Sequence, residues 1–279
     1  MFLVKTIDEL KKQLKALREK GSVGFVPTMG ALHSGHIFLV KQAERENPVV
    51  VVSIFVNPTQ FNDANDLKRY PRNLETDLKL LEPTGCDIVF APEAEEIYPE
   101  PDTRKFNFGE LERVMEGKHR PGHFNGVAQV VSRLFEIVEP DKAYFGLKDF
   151  QQLAVINKLV NMLKLPVEIV PCEIIRENSG LAMSSRNELL SPEERNNAAH
   201  IYETLTNATN LTGEKSVRDL EKWVMETINK NPFLNVEYFE IVDFENLQPV
   251  KSWSDKGKKI GCIAVFCGKV RLIDNIVLN

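Results

Sequence analysis

The sequence predicts an α/β protein built on a parallel sheet, and three features of its patterning say so. Short apolar, largely β-branched runs from Val23 to Val26, Val49 to Val56, Asp87 to Phe90, Asp141 to Phe145 and Val167 to Val170 alternate with stretches of helical periodicity. The first run breaks at Pro27, crosses a small-residue loop from Thr28 to Ala31 and enters a helix near Ser34, which puts a ligand loop at the carboxyl end of a strand. Beyond Ser191 the order changes to two helices followed by three strand-like runs, the pattern of a compact α+β domain. The expected division is a Rossmann-like parallel-sheet domain over residues 1–176 and a smaller carboxyl-terminal α+β domain over residues 177–279.

A chain of 279 residues can bury the core that such a division needs, and 43% hydrophobic with 27% charged residues is ordinary for a globular protein. The formal net charge of -5 gives no basic footprint, so nucleic acid is not expected as a partner. Met-Phe-Leu-Val at the start is too short for a signal peptide, and no apolar run has the length of a membrane span, so the cytoplasm is the expected compartment and no membrane partner is expected. Cys86, Cys172, Cys262 and Cys267 show no C-x-x-C spacing and read as buried free thiols.

In order along the chain, Thr6 to Lys20 is a helix with a capping box (Thr6, Glu9), an apolar stripe of Ile7, Leu10, Leu14 and Leu17, and Gly21 as its stop. The helix after the first strand carries Leu39, Val40 and Ala43 and ends at Pro48, and the run from Val49 to Val56 reads as a central strand buried on both faces. Asp66 to Arg72 is polar and loop-like, and Leu74, Leu78 and Leu81 mark a short helix. Tyr98 to Arg104 reads as a surface excursion, and Gly109 to Glu116 as a helix. Val127, Val130, Val131, Leu134 and Val138 pattern a longer helix, as do Leu153, Ile156, Val160 and Leu163. Ser191-Pro192-Glu193-Glu194 joins cap, first-turn proline and capping-box glutamate, and a second helix starts at Ser216. The strand-like runs from Ile260 to Phe266 and from Val270 to Ile276 meet at the tight Cys267-Gly268-Lys269 turn.

The chemistry begins at G-F-V-P-T-M-G-A-L-H-S-G-H, Gly24 to His36. The first turn of a helix has unpaired N–H groups and partial positive charge, so an anion is stabilised there. Gly30 and Gly35 allow a ligand to approach the backbone, and His33 and His36, three apart, are expected to share a face of the opening turn as imidazole donors to the oxygens of a nucleoside triphosphate. The lysine and Mg²⁺-binding serine of a Walker loop are missing. On four residues alone, a histidine capping a helix explains H-S-G-H as well.

Three further segments follow strand ends. F-V-N-P-T-Q-F brings Asn57 and Gln60 to the carboxyl end of the second strand, where Asn-Pro is equally a turn former. G-L-K-D-F-Q-Q, Gly146 to Gln152, again places glycine before a helix, although Asp149 and Gln152 also have capping-box spacing. M-S-S-R-N, Met183 to Asn187, offers two hydroxyls and a guanidinium, suited to β- and γ-phosphates; a nucleophilic Ser184 or Ser185 fails for want of a paired base. His119 and His123 are separated by Pro121 and Gly122, so they do not form a helical zinc pair.

H-S-G-H resembles the H-x-G-H signature of the class I aminoacyl-tRNA synthetase and nucleotidylyltransferase superfamily. P-T-M-G-A-L-H-S-G-H, together with the three later segments in order, is similar to the pantoate-β-alanine ligase family over nearly the whole chain. The resemblance implies a HIGH-type nucleotidylyltransferase fold and ATP-dependent condensation of pantoate with β-alanine through a pantoyl adenylate. AMP, pyrophosphate and pantothenate, on the route to coenzyme A, would be the products. It implies ATP contacts at Met29, Gly30, Ala31, Leu32, His33, Ser34, Gly35 and His36, then at Gly146, Leu147, Lys148 and Asp149, the backbone of Ile175, and Met183, Ser184, Ser185 and Arg186. His33, His36, Lys148 and Arg186 would stabilise charge on the phosphoryl oxygens. Gln60, Gln152 and Asn57 would hold pantoate, with Gln60 also serving β-alanine. Leu147 departs from the polar residue the family more often has. Mg²⁺ would ride on the phosphates; no dedicated carboxylate cage is visible, and Asp77 is the candidate ligand. The family implies a homodimer formed by the larger domain and leaves Arg120 and His123 near the site without assigned roles. The alternatives are a nucleotidylyltransferase that adenylates a phosphate-bearing substrate and a nucleotide-binding module without turnover.

Overall fold

The computed structural model describes residues 1–61 and 64–278. Its elements begin with β1 (Phe2–Val4), α1 (Ile7–Leu17), β2 (Val23–Thr28), α2 (Ser34–Glu46), β3 (Val49–Ile54), α3 (Ala64–Arg69), α4 (Leu74–Leu81) and β4 (Ile88–Phe90). Then come α5 (Ala94–Ile97), α6 (Met115–His119), α7 (His123–Val138), β5 (Lys142–Gly146), α8 (Phe150–Leu163) and β6 (Glu168–Cys172). Last are α9 (Pro192–Asn210), α10 (Val217–Asn229), β7 (Leu234–Asp243), β8 (Lys259–Cys267) and β9 (Val270–Leu278). The chain forms two compact units, one of Met1–Phe108, Arg120–Leu147 and Gln152–Glu173, the other of Gly109–His119, Lys148–Gln151 and the residues from Ile174 onward.

The first unit holds a six-stranded sheet in the order β1-β4-β3-β2-β5-β6 with every pairing parallel. Val49, Val50, Val51 and Val52 are buried, as a strand covered on both faces requires. Val26, Val50, Val52 and Val89 pack with Val40 and Ala43 of α2 and Leu81 of α4, while Phe25 meets Phe135 of α7 edge-on at 6.3 Å. The chain winds from β2 through β3 to β4 and then returns to lay β5 on the other side of β2, so the order reverses between β2 and β5. Ligands gather at such a switch point, outside the carboxyl ends of the strands.

Several elements differ from the sequence expectations. β1 is absent from them, because three residues at a sheet edge, two of them exposed, carry no periodic signal. β2 continues through Pro27, which pairs with Ser53 of β3. β5 pairs with β2 only at Gly24 and Phe25, so the missing N–H of Pro27 interrupts no ladder. Part of the polar segment that reads as a loop is the helix α3. The excursion past Tyr98 is tied down: Gln129 Nε2 donates to the carbonyls of Asp102 and Arg104, and Arg104 pairs with Asp102 at 2.6 Å and Glu136 at 3.0 Å. The helix expected from Gly109 to Glu116 is a 3-10 turn over Gly109–Glu112 followed by α6, with Met115 in the left-handed region at φ 45°.

In the second unit β7, β8 and β9 form an antiparallel meander. Its core joins Ile241, Ile263, Val265 and Leu272 to Ile201 and Leu205 of α9 and Leu220 and Val224 of α10. Both expected capping boxes form, Thr6 with Glu9 and Ser191 with Glu194. All four cysteines are free and buried; burial pushes the Cys86 thiol up to about 12 and that of Cys172 to about 11.

Candidate active site

The loop between β2 and α2 is a tight, largely buried structure. Thr28 Oγ1 donates to the Ser53 carbonyl at 2.6 Å and accepts the Gly30 N–H at 3.2 Å. Gly30 and Ala31 then take left-handed φ values of 77° and 49°, unusual for an alanine. Two successive residues of this kind turn their following N–H groups toward one point. That point is occupied by Asp77 of α4, which accepts from Ala31 N–H at 3.0 Å and Leu32 N–H at 2.7 Å. Asp77 is buried, and burial pushes its carboxyl above the usual range against the two N–H bonds that favour the ionised form. A Cβ on Gly30 would lie 3.0 Å from Asp77 Oδ2.

His33 and His36 stand together at the opening of α2 as their spacing predicts, but His33 lies one position outside the helix rather than within its first turn. His33 is the N-cap of α2, outside the helix with φ -144°, and its Nδ1 accepts the Gly35 N–H at 3.2 Å. His36, at the third helical position, accepts the His33 N–H on its own Nδ1 at 3.3 Å, which completes a capping box made of two histidines. The rings lie 4.0 Å apart between centroids. Because each Nδ1 accepts, each neutral ring carries its proton on Nε2, so both imidazoles are Nε2–H donors at a helix N-terminus. The cap engages each ring through Nδ1, so the capping explanation of H-S-G-H and a donor role for Nε2–H are compatible.

Asn57 caps the 3-10 turn Pro58–Gln60, with both ends of its amide engaged by protein. Nδ2 donates to Gly126 O at 3.1 Å and Gln60 Oε1 at 3.3 Å, while Oδ1 accepts from the hydroxyls of Thr59 and Tyr98, each at 3.1 Å. Gln60 Nε2 donates to Met29 Sδ at 2.9 Å, which joins the second strand's loop to the first. His123, the first residue of α7, lies 2.8 Å from the Gln60 carbonyl through Nδ1 and 3.1 Å from Arg120 Nη1 through Nε2. A guanidinium cannot accept, so Nε2 accepts and Nδ1–H donates to Gln60. Gln152 is half-buried in the first turn of α8. A Cβ on Gly146, at the end of β5, would meet nothing within 4 Å, so that backbone borders open space. Beside the Met29 and Gly30 turn a cavity of about 380 Å³ is also lined by Ile54, Phe55, Arg72, Asp77 and Pro92.

In the second unit the M-S-S-R-N segment rises from a hairpin. Met183 N–H donates to Ile175 O at 2.9 Å, Arg176 bridges Ala182, and Gly180 makes the turn at φ 90°. Asn187 Nδ2 donates to Ala182 O at 3.1 Å and Glu177 Oε1 at 2.8 Å, closing the base of the loop. Ser184 caps the 3-10 turn Ser185–Leu189, its Oγ accepting the Arg186 N–H at 3.2 Å, and Ser185 is buried. Lys148 Nζ lies 3.3 Å from Asp149 Oδ2 in the 3-10 turn Leu147–Asp149 that leads into α8. That turn stands where the spacing of Asp149 and Gln152 also allows a capping box. Among the described residues no group of three or more His, Cys, Asp or Glu could hold a metal, and His119 and His123 lie in different elements.

The family model for pantoate-β-alanine ligases matches residues 2–277. The chain belongs to the pantoate-β-alanine ligase family. The ligase is 56% identical over 277 residues to the pantothenate synthetase of Bacteroides thetaiotaomicron, covering 99% of this chain and 98% of that one. It is 55% identical over 277 residues to that of Porphyromonas gingivalis, covering 99% of each. Among solved structures it is similar to pantothenate synthetase from Thermus thermophilus, with 46% identity, a TM-score of 0.91 and 99% of each chain covered. It is also similar to the pantoate-β-alanine ligase of Francisella tularensis complexed with β-γ ATP and β-alanine, with 36% identity, a TM-score of 0.85, and 99% and 97% of the two chains covered. The ligase thus shares the family's fold, a parallel six-stranded sheet with a small antiparallel carboxyl-terminal sheet.

Proposed function

We propose that the ligase activates pantoate with ATP as a pantoyl adenylate, which the amine of β-alanine then opens to give pantothenate and AMP. The carboxylate of pantoate attacks the α-phosphorus in line and pyrophosphate leaves, so the attacking atoms all come from substrates. What the protein must supply is orientation and charge neutralisation. The observation that carries this reading is the two-histidine cap of α2. It fixes two Nε2–H donors beside a helix N-terminus, and a phosphoryl group gaining charge needs such an arrangement.

In this reading His33 and His36 meet the α-phosphate side of the triphosphate, Gly146 and Ile175 offer backbone groups to adenine, and Asp149 takes the ribose. Lys148, Ser184, Ser185 and Arg186 stabilise the departing pyrophosphate. Gln60 and Gln152, neutral amides that donate and accept, hold the hydroxy acid, and Gln60 also meets β-alanine. Asn57 acts on pantoate through Gln60, since its own amide is bound to Gly126, Thr59 and Tyr98. Mg²⁺ enters as part of the substrate MgATP. Asp77 fits loop support better than metal ligation, because both of its oxygens accept backbone N–H groups. A homodimer formed by the first unit, working in the cytoplasm, completes the reading, and sedimentation of the purified chain checks the dimer.

The test is pantoate-dependent exchange of labelled pyrophosphate into ATP without β-alanine, followed by AMP release when β-alanine is added. Exchange in the absence of pantoate, or AMP release with no exchange, would sink the two-step scheme. Wild-type exchange in Lys148→Ala would remove Lys148 from it.

A further inference from the structure

The sequence R-L-I-D-N, Arg271 to Asn275, has no place in the reading above, yet three of its five side chains are polar and set within β9. Asp and Asn are poor strand formers, and here both are buried. Successive residues of a strand face opposite ways, so Asp274 and Asn275 address different neighbours.

Asp274 shares its face of β9 with the core residue Leu272 and takes the Arg176 guanidinium in a two-point pair, at 2.6 and 2.9 Å. Its Oδ1 also accepts the Asn275 N–H at 2.8 Å. Burial pushes this carboxyl up, and the guanidinium opposes that by favouring the charged form. Arg176 is itself fixed three ways. Its Nη1 donates to Gly180 O at 3.1 Å, its guanidinium carbon stands 3.6 Å from the Tyr202 ring centroid, and its backbone bridges Ala182. Arg176 therefore belongs to the hairpin whose next residues are Met183 to Arg186. On the other face, Asn275 Nδ2 donates to the carbonyl of Lys148 at 3.1 Å.

We propose that Asp274 and Asn275 are positioning residues for the nucleotide: from the two faces of one strand they fix the M-S-S-R-N hairpin, through Arg176, and the backbone of Lys148. The two pieces of the second unit read as handling the leaving phosphates are thereby held to a common strand. A shift of either by a fraction of an ångström misaligns Lys148 against Arg186, which slows the adenylation step without touching the glutamines that hold pantoate. The inference rests on the assignment of Lys148 and Arg186 to the triphosphate.

The experiment compares Asn275→Ala, Asp274→Asn and the conservative Asp274→Glu with wild type. It measures KM for ATP and for pantoate separately, the pyrophosphate-exchange rate and the unfolding midpoint. Asn275→Ala and Asp274→Asn are expected to raise KM for ATP or slow exchange by about tenfold while KM for pantoate stays within about twofold, and Asp274→Glu is expected to recover part of the loss. In a Lys148→Ala background, Asn275→Ala is expected to add nothing further to the loss of ATP affinity measured by calorimetry, because it acts through Lys148. A lowered midpoint with unchanged ATP kinetics, or equal rises in both KM values, overturns the proposal. If Asp274→Asn fails to fold, Asn275→Ala decides alone, since it removes the bond to the Lys148 carbonyl and leaves the Asp274 and Arg176 pair in place. Normal ATP kinetics in Lys148→Ala and Arg186→Ala would instead break the underlying assignment.

Discussion

Asp77 Oδ1 accepts the Leu32 N–H at 2.7 Å, and through that bond and its partner to Ala31 a helix of the sheet's outer layer fixes the loop that opens α2. The left-handed turn at Ala31 costs about 1–2 kcal/mol for an alanine, and a carboxylate receiving both N–H groups offsets it. Asp77→Ala leaves two backbone donors without their acceptor, each worth about 1–3 kcal/mol when buried. Asp77→Asn keeps the shape but turns an amide NH₂ toward one of the N–H groups. Both variants are expected to lose at least about 2 kcal/mol in urea unfolding. The exchange rate should fall at least about tenfold, because the histidine cap follows directly on Leu32. Wild-type exchange in Asp77→Asn would show that the loop holds its form without the carboxylate.

The same carboxyl gives a pH signature. Burial raises Asp77 above its ordinary value of 3.8, so the folded chain binds this proton more tightly than the unfolded chain does. Stability then falls as pH rises between the ordinary and the raised value, and is level above both. Asp77→Asn lacks this titration. The stability of wild type minus that of Asp77→Asn is therefore expected to be largest at the acid end and to decline as pH rises from about 4, followed by denaturant titrations at matched pH values. A difference that grows with pH would mean that the two N–H bonds outweigh burial.

His36→Asn separates the observed cap of His36 from its proposed role as a donor to phosphate. An asparagine at the third helical position can still accept the His33 N–H that His36 Nδ1 now accepts, so the helix start is preserved and the unfolding midpoint should hold within a few degrees. The Nε2–H donor is lost. Pyrophosphate exchange is expected to fall by about a hundredfold or more, the cost of one misplaced donor to developing charge. Equal losses of midpoint and exchange would make His36 a cap and nothing else.

What the sequence disclosed and what it hid divide along distance in the chain. Thr6 with Glu9 and Ser191 with Glu194 were legible because a capping box closes within four residues. The H-S-G-H, F-V-N-P-T-Q-F and G-L-K-D-F-Q-Q segments were legible as loops at strand ends, and β2, β3 and β5 as buried strands. The cap geometry of His33 was not, since three-residue spacing describes residues inside a helix and His33 stands one position outside it. The work of Asp77 was hidden by a partner 45 residues earlier, and that of His123 by a carbonyl 63 residues earlier. Asp274 and Asn275 did leave a signal: two poor strand formers inside an apolar strand pattern need a reason, and hydrogen bonding at a site is the usual one.

Gly126 offers the sharpest test of the proposed pantoate side. It lies in α7, where replacing an exposed glycine by alanine would strengthen a helix by about 1 kcal/mol. Here the Cβ of Gly126→Ala would stand 2.7 Å from the Thr59 carbonyl carbon and 2.8 Å from Gln60 Cα, so the 3-10 turn Pro58–Gln60 must move away from the helix. The Gly126 carbonyl is also the acceptor for Asn57 Nδ2, and the displacement strains that bond too. Overpacking of this kind costs about 1–3 kcal/mol, so the variant should be less stable than wild type, opposite in sign to the helix-propensity effect. Gln60 moves with the turn, and KM for pantoate is expected to rise about tenfold or more while KM for ATP changes little. Steady-state titration of each substrate separates the two. A stabilised variant with unchanged KM for pantoate would mean that α7 and the Gln60 turn are not in the contact described.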